Sequence, residues 1–226
     1  KTHTRNIEVL GGLIKSMPMT ALLFLTGSIA ICGLPPFNGF ISEFLIYFGM
    51  LKGLMINNLS ALITFILAIA GLALVGTMAI LCFTKAFSII FLGAPREKAA
   101  EDVSEDTTIS FIFPMSVLAI LTLIIGVCPQ HVFNIMMAPV SVFTGVVQMP
   151  VMVALMQNIS WVCLGLIAFI AVLSVFKLVI ENKYTQHCTW GCGFDKPNNH
   201  IQYTASSYAS PFLSMLTPLF KKVFDI

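Results

Sequence analysis

The chain has 226 residues, of which 58% are apolar and only 10% charged, against roughly 25% charged in a soluble domain. With 12 Lys and Arg and 10 Asp and Glu, a globule of this size could not cover itself in water, and the mean hydropathy is +0.94. Lipid is therefore part of the solvent. An ordinary cytoplasmic enzyme and a disordered tail are excluded, and a net charge of +2 is too small to point to nucleic acid.

Residues 1–16 read as a polar loop. The sequence starts at Lys1 and carries no signal-peptide pattern of basic start, short apolar core and small-residue cleavage site, so it reads as a fragment of a longer chain. Four apolar stretches follow: Met17–Leu54, Leu59–Leu92, Ile109–Cys128 and Val151–Ile180. A spanning helix needs about 20 apolar residues. The third stretch fits one span, the fourth fits one with its core from residue 159, and the second fits one that runs out into the headgroups. The first contains Gly33-Leu34-Pro35-Pro36-Phe37-Asn38-Gly39 and cannot be one continuous helix.

That first stretch is either a hairpin of two short helices or one spanning helix broken in the middle, and the positive-inside rule chooses between them. A single crossing places Lys1, Arg5, Lys15, Lys85, Arg96, Lys98, Lys177, Lys183, Lys196, Lys221 and Lys222 on one side, with only Lys52 opposite. A hairpin destroys this asymmetry. The expected architecture is an all-α, polytopic membrane helical bundle of about four transmembrane segments, the first one discontinuous. Residues 17–54 form the broken span, and 59–92, 109–128 and 159–180 form the others. Residues 1–16 and 93–108 are cytoplasmic loops, 129–158 an outer loop lying along the interface, and 181–226 a cytoplasmic tail. The tail ends in a short amphipathic helix carrying Phe212, Leu216, Leu219, Phe220 and Val223 beside Lys221 and Lys222.

Irregular backbone at membrane depth is tolerated where it is buried in protein or faces a wet cavity, and interrupted helices mark ion sites in transporters. A lone proline kink is often only structural, but a seven-residue Gly-Pro-Pro-Asn-Gly break is more than a kink. Glu43 is the single acidic residue between Glu8 and Glu97, on the half-helix after the break. An intramembrane carboxylate costs at least about 2.5 kcal/mol to insert and is a functional-site hypothesis by default. A cation moving toward or away from it would switch it between releasing and binding a proton. The bland alternative is a carboxylate paired permanently with a neighbouring cation.

Ser42 and Tyr47 are candidate hydrogen-bond partners of that carboxylate. Gly33, Pro35, Pro36, Asn38 and Gly39 support the break. Lys85 is a second proton-translocation candidate by residue type, although helical rise puts it about 39 Å from Leu59, where a lysine ordinarily snorkels to the headgroups. Lys52 reads as an interface anchor, and His3 and His131 as solvated histidines. Cys32, Cys82, Cys128 and Cys163 read as small core residues. His187, Cys188, Cys192 and His200 have the wrong spacing for a convincing metal site. No metal, no cofactor and no catalytic residue of the soluble type is expected.

The blocks Thr4-Arg5-Asn6-Ile7-Glu8, Gly11-Gly12-Leu13, Met17-Pro18-Met19-Thr20 and Gly33 through Glu43 resemble the antiporter-like membrane subunits of complex I and its relatives. Lys85-Ala86-Phe87, Phe91-Leu92-Gly93, Pro95-Arg96, Thr189-Trp190-Gly191-Cys192-Gly193 and Gln202-Tyr203-Thr204-Ala205-Ser206-Ser207 narrow the resemblance to the hydrogenase-4 component B and formate hydrogenlyase subunit 3 branch. The resemblance implies the C-terminal part of a subunit with two inverted repeats, each with one broken helix. Met17–Leu54 matches the second broken helix, and the protonatable residue after its break falls on Glu43. The short tail departs from the long lateral helix that ends complex I's largest such subunit.

What this implies is a proton-translocating subunit, free of redox centres, in the cell inner membrane. It would have other membrane subunits, a peripheral hydrogenase or dehydrogenase arm and the lipid bilayer as partners, with no nucleic acid. A multisubunit cation/proton antiporter without redox coupling is one alternative, and a membrane scaffold for the soluble arm is another.

Overall fold

The computed structural model describes residues 2, 4–56, 58–96, 109–145, 149–180 and 202–224, with the side chains of 216 and 219–224 excepted. His3, the acidic stretch 97–108 and the His187, Cys188, Cys192 and His200 group lie outside the described residues. So do the side chains of Leu216, Leu219, Phe220, Lys221, Lys222 and Val223. Among the described residues every regular element is helical. A 3-10 turn at Ile7–Val9 precedes α1 (Pro18–Ile31), α2 (Asn38–Gly53), α3 (Leu59–Phe91), α4 (Ile109–Val127), α5 (Pro129–Thr144), α6 (Pro150–Ile180) and α7 (Ala205–Phe224).

Three of these, α3, α4 and α6, are long and apolar enough to cross a membrane, and α1 is a shorter apolar helix. At 1.5 Å per residue α1 is about 21 Å long and α2 about 24 Å, so neither alone spans a hydrocarbon core of about 30 Å. No residue in the most apolar stretch of α3 is buried, and Leu67, Leu74 and Val75 stand exposed. An apolar surface this bare belongs against lipid or other helices. The chain is thus an all-α, polytopic membrane bundle with a discontinuous first segment.

The segment 129–158 expected as an outer loop is mostly helical. Pro129 sits at the first turn of α5, where a missing N–H costs nothing. Gly145 ends the helix in the left-handed conformation, φ +68°, with its N–H on the Ser141 carbonyl. Helix α6 then begins at Pro150 rather than at the start of its apolar core, and α5 packs on it.

The chain divides into two compact units. The first comprises Lys1–Leu25, Ile80–Ile112 and Thr189–Ile226. Its core is Leu10, Leu13, Ala21 and Phe91, flanked by Met17, Phe24, Phe87 and Ile90, with the rings of Phe24 and Phe87 5.3 and 5.4 Å from that of Phe91. The backbone of residues 12–14 closes the end of α3. Gly12, Leu13 and Ile14 donate to the carbonyls of Leu92, Ile90 and Phe91 at 2.9, 3.3 and 3.1 Å, groups that a helix end otherwise leaves unpaired. The second unit comprises Thr26–Ala79 and Phe113–Cys188, and Met156, Pro129 and Cys163 are its most deeply buried large side chains.

Candidate functional site

The break is built from two kinds of backbone device. Helix α1 stops in a paired C-terminal cap: Gly33 N–H donates to Ala30 and Leu34 N–H to Ile29, both at 3.3 Å. This places Gly33 in the left-handed conformation, φ +65°, which glycine adopts without steric cost. The Pro35–Pro36 peptide is cis. Phe37 is extended at the start of α2 and contributes no side-chain cap. The second device is close approach without a side chain. A Cβ on Gly39 would overlap the Ala30 carbonyl oxygen, and one on Gly126 would overlap that of Pro36. The first turn of α2 thus lies on the last turn of α1, and α4 lies on the prolines of the break.

Glu43 stands half-buried on α2, with its carboxyl group against Gly33. A Cβ at position 33 would be 2.5 Å from Oε2, 2.7 Å from Cδ and 2.9 Å from Oε1. Ser42, expected beside the carboxylate, instead donates its hydroxyl to the Gly39 carbonyl at 2.9 Å. Tyr47 lies one turn further along α2, and among the described residues no hydrogen bond joins it to Glu43. Asn38 and Ser42 line a cavity of about 160 Å³ whose other walls are apolar, from Ile41, Phe133 and Met156 among others. Lys52 places its Nζ 5.5 Å from the Phe48 ring centroid, a cation–π contact.

In the first unit, Lys85 is half-buried and lines an open crevice of about 830 Å³ with Glu8, Ser206, Ser210 and Thr217. Glu8 caps α7. Its Oε2 accepts from Ala205 N–H at 3.2 Å and its Oε1 from Ser206 N–H at 2.6 Å, while Thr204 accepts from Ser207 N–H. Partial desolvation opposes the charge on Glu8. The amide and hydroxyl of Ser206, the Ala205 amide and the Thr204 hydroxyl outweigh it and hold the carboxyl below its ordinary range.

Arg96 is buried, 9% exposed. Its Nη1 donates to the Leu10 carbonyl and more weakly to that of Ile89, and its Nη2 to Tyr203 at 2.7 Å, while its Nε has no partner among the described residues. Gln202 clasps the Ala94 backbone in both directions, accepting at 3.2 Å and donating at 2.9 Å. Three sequence blocks far apart in the chain, 8–14, 89–96 and 202–206, therefore meet at one place.

Residues 1–69 match the family model described as "NADH:quinone oxidoreductase/Mrp antiporter, TM". Formate hydrogenlyase subunit 3 of Escherichia coli (strain K12) is 30% identical over 230 residues, covering 98% of this chain and 36% of the relative. The chain is a relative of the antiporter-like membrane subunits. Hydrogenase-4 component B of the same organism is 36% identical over 126 residues, 56% of this chain and 19% of the relative. A Na(+)/H(+) antiporter subunit A1 of Staphylococcus saprophyticus is 32% identical over 133 residues, 57% of this chain and 16% of the relative. The chain thus spans about a third of the first relative's length and less of the others. It is, like this family, a multi-pass membrane protein.

The family-model match contains the whole break and Glu43. The Thr4–Glu8, Gly11–Leu13, Phe91–Arg96 and Gln202–Ser207 blocks that carried the resemblance prove to be the parts of the clasp. The sequence reading gave Glu8, Arg96 and Gln202 no structural role and overlooked Gly126. The only local signals were the Gly11-Gly12 pair and Gly93, since a glycine inside an apolar run marks close approach as readily as nothing at all. Among the described residues no cluster of three or more His, Cys, Asp or Glu side chains could hold a metal.

Proposed function

We propose that this chain is part of a proton-translocating membrane subunit of a membrane-bound hydrogenase, formate hydrogenlyase or complex I-like assembly, with Glu43 as its proton carrier. The observation that carries the reading is the seating of the Glu43 carboxyl against the interrupted backbone at Gly33, the arrangement in which broken helices build ion sites. Similarity to formate hydrogenlyase subunit 3 along nearly the whole chain supports the choice of complex.

Redox chemistry in a peripheral arm would move charge near Glu43, so that the carboxyl alternately takes and releases a proton. The subunit lies in the inner membrane, its clasp and tail on the cytoplasmic side where the basic residues concentrate, and neighbouring membrane subunits cover its bare apolar faces. Lys85, in its open crevice, is a second protonatable group on that side.

Glu43→Gln in the full-length subunit, assayed for proton translocation in inverted vesicles, tests the proposal. Translocation is expected to collapse while the complex still assembles, and normal translocation would sink it. Similarity to the Na(+)/H(+) antiporter subunit A1 favours a second reading, cation/proton exchange through the same Glu43 without redox coupling. Exchange driven by an imposed sodium gradient, in membranes given no electron donor, would select it.

A further inference from the structure

We propose that Gly33 is a positioning residue for Glu43: the bare backbone at the end of the first half-helix is the seat that sets where the carboxylate stands. The inference rests on the proton-transfer reading of Glu43 and deepens it. All three atoms nearest a Cβ at position 33 belong to the Glu43 carboxyl group, at 2.5, 2.7 and 2.9 Å. The whole group, and not its tip alone, packs on this glycine. Gly33 is tied to α1 by its own N–H and that of Leu34, so the seat belongs to one half-helix and the carboxylate to the other.

The neighbouring approach at the junction, Gly39 on the Ala30 carbonyl, is backbone against backbone. It is made chiefly by the Ala30 carbonyl, with the Gly33 Cα further off at 3.4 Å, and it calls for no side chain at position 33. A methyl group on residue 33 would therefore displace the flexible end of Glu43, which yields by rotating about its side-chain torsions. The left-handed φ of +65° adds only a small backbone strain for a single alanine, a modest load for a capped helix end. Proton transfer needs partners within about 2.6–3.2 Å, so a displacement of about 1 Å is enough to interrupt it. The glycine thus serves the carboxylate as well as the turn.

Gly33→Ala, Glu43→Asp, Glu43→Gln and the double variants are compared in native membranes carrying the full-length subunit. The readouts are proton translocation, its pH profile and the amount of subunit present. Gly33→Ala is expected to lower translocation about ten-fold and to displace the pH profile, with the subunit still inserted. Aspartate is one bond shorter, drawing the carboxylate back by about 1.5 Å. Gly33→Ala/Glu43→Asp is therefore expected to translocate at least about three-fold better than Gly33→Ala alone, and Gly33→Ala to add nothing to the loss caused by Glu43→Gln.

Wild-type behaviour of Gly33→Ala overturns the proposal, and so does a loss that aspartate does not relieve and that adds to Glu43→Gln. Loss of the subunit from the membrane in both Gly33→Ala variants also overturns it, because position 33 would then serve only the break. If Glu43→Gln translocates normally, it is the proton-transfer reading that falls. The seat is then read directly from the rate at which a hydrophobic carbodiimide labels Glu43, measured by mass spectrometry. That rate is expected to rise in Gly33→Ala, and an unchanged rate refutes the seat.

Discussion

Replacing Arg96 with methionine tests the clasp that holds the N-terminal loop, the end of α3 and the start of α7 together. Arg96 makes two good charge-assisted bonds, to the carbonyls of Leu10 and Tyr203, and a long one of 3.5 Å to Ile89. Hydrogen bonds to a charged group contribute about 1.5–3 kcal/mol each, so the two good ones amount to about 3–6 kcal/mol. Against this stands the desolvation of a buried guanidinium whose Nε has no partner among the described residues, a cost that methionine relieves. Methionine also fills much of the volume, so the net loss is expected to be about 2–4 kcal/mol.

Hydrogen–deuterium exchange of the solubilised full-length subunit reads this locally. A loss of about 3 kcal/mol in opening free energy speeds exchange about a hundred-fold. The effect is expected at the amides of residues 12–14 and 205–207 and not in α4. Arg96→Lys is expected to recover little, because an ammonium is a point charge that does not reproduce the guanidinium fork. Exchange within about three-fold of the unaltered protein in both variants would refute the reasoning.

Glu8→Gln removes the charged cap of α7. The pKa of Glu8 is lowered in the folded chain, so its contribution is present at neutral pH and is lost as pH falls through that lowered value. Exchange at the Ala205 and Ser206 amides is expected to be faster in Glu8→Gln than in the unaltered chain near pH 7, by an amount below about 1 kcal/mol because the site is partly exposed. The difference should vanish in acid, below the ordinary carboxylate range. Gly126→Ala forces a Cβ into the Pro36 carbonyl and is expected to destabilise the solubilised subunit by about 1–3 kcal/mol in thermal denaturation. Gly165→Ala, at a site with open space around it, serves as the control and is expected to be neutral or slightly stabilising.

The break was legible in the sequence because prolines and glycines act locally: Pro35 and Pro36 deny the helix its donors whatever surrounds them, and Gly33 supplies the left-handed turn. Glu43 stood out for the same reason, as a lone acid in an apolar run, and its carboxyl is seated against the break. Helix α5 was not, because 16 residues with two prolines offer neither the length of a span nor a clean helical period. Ser42 was expected at the carboxylate, but a hydroxyl inside a helix often bonds a carbonyl one turn back, and it does so here. The clasp was least legible of all. Its long-range hydrogen bonds join residues 77 to 198 positions apart, and no local pattern encodes such a pairing. What the sequence carried was the parts, recognisable as motifs and mute about one another.

The Arg96 clasp also turns membrane topology into a question of odd and even. Leu10, Arg96 and Tyr203 are joined by hydrogen bonds, so all three lie on the same face of the bilayer. Between Leu10 and Arg96 the chain must then cross an even number of times. Helix α3 is long and apolar enough for one crossing; if it makes that crossing, α1 and α2 together would make one and not two. The same parity governs the return from Arg96 to Tyr203. Helices α4 and α6 have the length and apolarity to account for it, and if they do, α5 would lie along the membrane rather than through it. One buried guanidinium thus constrains the path of nearly two hundred residues that it never touches.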